Sequence, residues 1–149
     1  MRFLFLALAL APVLALPAPA LAAWSHEKGP DWVVTQTSGN GVLIDFRCSR
    51  RFPNQVRMTL TGRSFPDVPG VMIWMTLPDG RMARHSVDTR REDGALIGTF
   101  AVSSTVMEEF RTGTRMEIDM PTRQGEDIAV VDMVGTGAAR LAMQERCGF

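Results

Sequence analysis

The strongest constraint on this chain is a two-residue rhythm of apolar side chains, repeated in short segments that each end in turn-forming residues. Val42–Cys48 sets Val42, Ile44, Phe46 and Cys48 on one face and Leu43, Asp45 and Arg47 on the other. Gln55–Thr61 repeats the pattern, with Val56, Met58 and Leu60 inward and Gln55, Arg57, Thr59 and Thr61 outward. Arg115–Met120 alternates Met116, Ile118 and Met120 against Glu117 and Asp119. A period of two is the pleat of a half-buried strand. Trp32–Thr37 is β-prone and ends in the turn cluster Ser38-Gly39-Asn40-Gly41. Val71–Leu77 is apolar on both faces and reads as a central strand covered on both sides. Arg81–Val87, Ala95–Val102 and Asp127–Val134 complete the set.

The connections carry their own chemistry. Residues 63–70, RSFPDVPG, read as loop, because two prolines so close together cannot continue a ladder. Pro78-Asp79-Gly80 is a hairpin signal, and Asp88–Gly94 reads as a charged loop. One helix is expected after Ser103 or Ser104, with Val106, Met107 and Phe110 as its apolar face, Glu108 and Glu109 near its positive end, and Gly113 as its stop. A second follows Gly135-Thr136-Gly137, where Ala138, Ala139 and Ala142 pack with Leu141 and Met143 up to Cys147. The expected fold is mainly β: a β-sandwich or partly open barrel of about eight strands with two short helices, the last at the carboxy terminus.

The amino terminus does not belong to this domain. Arg2 precedes a charge-free apolar run, Phe3–Leu16, which Pro17 and Pro19 close before the small-residue pattern Ala20-Leu21-Ala22. That is the build of a cleavable signal peptide, residues 1–22. At about fourteen residues the run is shorter than the roughly 20 needed to span a bilayer. No lipobox cysteine follows, so no stable membrane anchor is expected after cleavage. Residues 23–31 read as a flexible leader and 32–149 as one domain.

Export gives the two cysteines a meaning. Cys48 and Cys147 permit a single connectivity, and in an oxidising compartment an even count suggests a bridge. Neither has a CxxC partner or adjacent histidine, which weighs against a thiol nucleophile or a metal pair. The bridge would tie the carboxy-terminal helix to the end of the second expected strand.

Charge excludes other roles. Without Arg2, fifteen basic residues face sixteen acidic ones, and the two signs are interspersed. That leaves no electrostatic footprint for nucleic acid or anionic lipid.

The carboxy-terminal half has an order of elements that resembles a known family. LIGTFAVSSTVMEEFRTG, then TRMEIDM, a turn at RQGED, and IAVVDMVGTGAARLAM are similar to small exported bacterial envelope proteins of the invasion-associated locus B type. The opening DWVV resembles that family's Trp-initiated first strand, although the extra mid-domain cysteines of many members are missing here. The helix-to-Cys ending also resembles periplasmic proteins associated with type VI secretion. The resemblance implies a periplasmic β-sandwich with an envelope or host-interaction role. It implies no catalytic residues.

The residues themselves offer few routes to catalysis. His26 and His85 are the two histidines. A Ser/His/Asp triad on His85 would draw on Ser86 and Asp88, but Ser86 points to the opposite strand face and no GxSxG elbow exists. The pairs Glu92-Asp93, Glu108-Glu109 and Glu126-Asp127 fall in loops or at a helix start, where solvation is expected. Gly135-Thr136-Gly137 lacks a following GK[ST].

Metal binding is the more chemical alternative. Met72, Trp74, Met75, Met82 and His85 share one expected hairpin, and thioethers select Cu(I). If Leu77 pairs with Arg81, however, Met72, Trp74 and Met82 share one face and Met75 and His85 the other. Cleavage after Ala23 instead of Ala22 would expose Trp24-Ser25-His26, an amino-terminal chelate for Cu(II) or Ni(II).

The sequence thus leans away from an enzyme and implies no cofactor. Its leading reading is a non-catalytic periplasmic or secreted binding or envelope-associated protein, with an envelope or host protein as partner and residues 63–72, RSFPDVPGVM, as a contact loop. A periplasmic copper-handling protein using Met72, Trp74 and Met82 or His26 comes second, and an envelope hydrolase third.

Overall fold

The computed structural model describes residues 24–120 and 127–147. The expected signal peptide at 1–22 and the turn around Gln124-Gly125 lie outside the described residues. The elements are β1 (Ser25–Lys28), β2 (Trp32–Gly39), β3 (Val42–Ser49), β4 (Phe52–Thr61), β5 (Gly70–Thr76), β6 (Met82–Glu92), β7 (Ala95–Ala101), α1 (Ser104–Thr112), β8 (Arg115–Asp119), β9 (Asp127–Asp132) and α2 (Thr136–Cys147). The fold is mainly β, as expected, with the last helix at the carboxy terminus. All ladders are antiparallel, and the nine strands form one open sheet ordered β1-β2-β3-β4-β7-β6-β5-β8-β9.

β6 makes the sheet turn a corner. Gly70–Thr76 of β5 pairs with its first half, through Asp88, whereas Thr89–Glu92 pairs with β7. A strand that serves two sheets in this way folds one across the other. Gly98 sits at the corner opposite Thr89, where a Cβ would lie 2.4 Å from Val87 Cγ1. The expected charged loop over 88–94 is therefore mostly ladder, closed by a two-residue turn at Asp93-Gly94, both at positive φ. Its polar sequence hid the strand because Arg90, Arg91 and Glu92 are exposed.

The two ends of the curled sheet meet without a ladder. Arg63 Nη2 donates to Ile128 O at 3.1 Å, and Trp24 Nε1 donates to Asp132 O at 2.9 Å. Between them, Gly39 approaches Val130 O so closely that a Cβ there would lie 2.1 Å away. Successive outward carbonyls of β9 are thus covered by side chains and a tight backbone contact, which protects an otherwise open edge.

The inner face fills with the predicted inward residues Val42, Ile44, Phe46, Val56, Met58 and Leu60, all buried, and with Met116 and Ile118 from β8. Thr35 and Thr37 join them from β2. β5 is covered on one side only: Val71, Ile73 and Met75 are buried, while Met72 and Trp74 are half-buried on the outer face. The doubly covered strand expected there is corrected accordingly, since no described helix lies over that outer face.

Two segments expected to be loose are structural. The flexible leader contains a strand, since Ser25–Lys28 pairs with Val33–Gln36. Trp24 anchors it, stacked on Phe46 with ring centroids 6.1 Å apart and edge-on to Phe110 at 5.0 Å. All four residues of β1 are exposed, so no alternation betrayed the strand. In the expected contact loop over 63–72 the apolar side chains Phe65, Val68 and Val71 turn into the core, Phe65 being 1% exposed, while Arg63, Pro66, Asp67 and Pro69 stay at the surface.

The helices also depart from expectation in detail. Ser103 caps α1, its hydroxyl accepting from Val106 N at 3.3 Å. Because α1 begins at Ser104, Glu108 and Glu109 fall in its second turn and not at its positive end. Gly113 ends the helix at φ −55, so its need for glycine is steric: a Cβ would lie 2.6 Å from Met133 Sδ. On α2, Ala139, Ala142, Met143 and Cys147 face inward, whereas Leu141 is 58% exposed. Cys147 lies at disulfide distance from Cys48, with Cα atoms 5.9 Å apart across a separation of 99 residues. No described helix is long and apolar enough to cross a membrane.

Candidate functional site

The register of β3 on β4 creates the site. It places Arg47 directly opposite Arg57, on the outer face that the sequence alternation assigned to both. Arg57 in turn faces Thr99 on β7. The ladder is interrupted between Arg47 and Ser49, and the hairpin end opens there. The result is a groove of about 510 Å³ lined by Trp32, Arg47, Arg51, Phe52, Gln55 and Arg57, with Asp31, Cys48, Ser49 and Thr99 completing its walls.

The electrostatics of this groove are one-sided. Among the described residues, the guanidinium groups of Arg47, Arg51 and Arg57 take part in no hydrogen bond or ion pair. Like charges directly opposite on an antiparallel pair destabilise it. Arg47 lies over the Trp32 ring, 5.0 Å from its centroid, and Arg51 over Phe52 at 5.6 Å. Such stacking orients a guanidinium by its face and leaves its N–H fork at the edge for an oxyanion. Cys48 forms part of the wall, so the bridge to Cys147 fixes β3 beside Arg47.

The sequence contained half of this signal. Arg47 and Arg57 alternate outward in their segments, but no local pattern sets the register that brings them together. Arg51 and Phe52 lie where the alternation fails, at the interruption of the ladder.

The residues named for metal chemistry are dispersed. Met72 and Trp74 share the outer face of β5 and line a separate groove of about 470 Å³ with Ser86 and Asp88. Leu77 N donates to Arg81 O at 2.8 Å, and Met82 pairs with Thr76 on that same face. Met75 and His85 turn to the inner face, so the hairpin splits its ligands across the sheet. The Trp74 ring already carries a cation, Arg84, at 5.7 Å. His26 sits on the edge strand β1, paired with Thr35. An amino-terminal chelate would need the Ser25 and His26 amides to curl round one metal, which the extended ladder opposes.

His85 makes a polar contact that the sequence did not disclose. Its Nε2 lies 2.8 Å from Glu109 Oε2, bridging β6 to α1 at the lip of an apolar internal cavity of about 30 Å³. Ile73, Met75, Val102 and Phe110 surround that lip, and the lining offers no hydroxyl or thiol. Ser86 and Asp88 lie on the opposite face of β6. The pair therefore docks α1 on β6. Glu108 instead bonds Arg111, which holds its carboxyl below the usual range. Among the described residues no group of three or more His, Cys, Asp and Glu is arranged to hold a metal.

Set against models of known families, curated proteins and solved structures, the chain matches none.

Proposed function

We propose that this chain is an exported, non-catalytic binding domain of the bacterial periplasm or exterior, and that it holds an envelope or host partner on the outer face of β2, β3, β4 and β7. The observation that carries this reading is the groove itself: three guanidinium groups without ion pairs among the described residues, two of them stacked on aromatic rings, beside an exposed Phe52. Such an arrangement costs folding stability unless something outside the chain supplies the counter-charge. The signal-like amino terminus, the paired cysteines and the likeness to envelope proteins of the invasion-associated locus B type support the location.

Placing a photo-crosslinking amino acid at Thr99, on the groove wall, tests the reading in intact cells. A specific adduct with an envelope component is expected. It should vanish when Arg47 and Arg57 are both changed to Gln. Absence of any adduct, together with robust turnover of an envelope substrate, overturns it.

A further inference from the structure

We infer that the occupant of the groove is an acidic peptide segment of a partner protein, its carboxylates held by Arg47, Arg51 and Arg57 and an apolar side chain laid on Phe52. This inference rests on the binding reading of that face and names the chemistry of what it binds.

The counter-charge argument comes first. Arg47 and Arg57 face each other across one rung of the ladder, and Arg51 lies at the same hairpin end. A carboxylate placed between opposed guanidinium groups relieves their repulsion and accepts a charge-assisted fork from either. Stacking on Trp32 and Phe52 fixes two of the three in advance, so little rotamer freedom is lost on binding.

The lining then separates peptide from polyanion. Asp31 is on the groove wall, and Asp45 is two residues from Arg47 on the same outer face. Neither carboxylate pairs with the three arginines. Both would repel closely spaced phosphates, whereas a peptide also offers N–H donors that Asp31 can accept. Ser49, Gln55 and Thr99 supply the neutral partners that backbone amides use. Phe52, 56% exposed at the mouth, gives an apolar side chain a surface that a nucleic acid backbone or polyphosphate has no use for. The chain's formal net charge is zero, so it lacks the long-range field by which polyanion binders attract their ligands. The volume of the groove lies within the roughly 300–1,000 Å³ of ligand sites.

Selection of a random peptide display library on the oxidised protein tests this directly. The expected winners combine Asp or Glu with Leu, Ile or Phe, and lose affinity when their acids become Asn or Gln. Binding of a winning peptide, followed by fluorescence anisotropy, should weaken at least about tenfold on Arg57→Gln or Arg47→Gln and also at high salt. Arg84→Gln, on the outer face of the other half of the sheet, should leave it unchanged. Circular dichroism and intact mass of each variant separate lost binding from lost folding. Winners without acidic enrichment, or winners indifferent to both groove substitutions, overturn the inference, as does polyphosphate that binds the groove more tightly than every selected peptide. If those results accompany a surviving crosslink at Thr99, only the peptide assignment falls. If the crosslink is absent as well, the binding reading falls with it.

Discussion

Arg57 illustrates how a residue on an exposed face can lower stability and still have a purpose. Its guanidinium meets Arg47 across the ladder and finds no carboxylate partner among the described residues. Directly opposed like charges on a sheet are destabilising. Arg57→Gln is therefore expected to raise stability by a few tenths of a kcal/mol in urea titration while weakening binding; a loss of stability would show that Arg57 is a structural residue. Thr37 is the inward counterpart. It is buried on β2, and its hydroxyl has no hydrogen-bond partner among the described residues. Valine has nearly the same shape and favours strands. Thr37→Val should gain about 1 kcal/mol by removing an unsatisfied buried group, read as a rise in thermal midpoint with unchanged oligomeric state.

Elements differ in how openly the sequence declares them, and the difference is physical. β3, β4 and β8 each have one wet and one dry face, so their alternation specifies both type and orientation. β1 and the second half of β6 present polar side chains to water on both faces, and only the partner strand makes them strands. The same limit hid the site, because Arg47 and Arg57 read as solvated charges until the register opposes them. The cysteines were the exception, since two residues allow only one pairing. β1 yields the next prediction. Its backbone hydrogen bonds are few, and Trp24 holds it through Phe46, Phe110 and the Asp132 carbonyl. Trp24→Ala should cost about 2–3 kcal/mol, less than for a fully buried tryptophan. Amides of β1 should lose exchange protection first, while those of β3 and β4 hold. Lys28 adds a weaker tie from β1 to Glu145 on α2 at 2.7 Å, and this hydrogen bond holds the Glu145 carboxyl below its ordinary value. A depressed acid stabilises above the unfolded value and loses that contribution as pH falls through the folded one. The pair lies in water, so its effect on β1 protection should fade in acid and in high salt.

At the scale of the whole molecule, the sheet is open, with Trp24, Gly39 and Arg63 among the contacts where its ends meet, and the Cys48–Cys147 link ties β3 to the helix that follows β9. It spans 99 residues, and in the chain-entropy model a loop of about 100 residues is worth roughly 4–5 kcal/mol. For a domain of this size that corresponds to a fall in thermal midpoint of about 10–20 °C on removal. The loss should not be uniform. α2 is a 12-residue helix, too short to persist alone in water, and its last turn is fastened at Cys147 while the rest of its inner face offers only Thr136, Ala139, Ala142 and Met143. In the Cys48→Ala/Cys147→Ala protein, amides of α2 should exchange through a partial opening well below the global unfolding free energy. The β3–β4–β7 ladder should exchange only with the whole. Uniform loss of protection across α2 and the ladder would mean that the bridge acts on the unfolded chain alone and leaves the native helix as firmly docked as before.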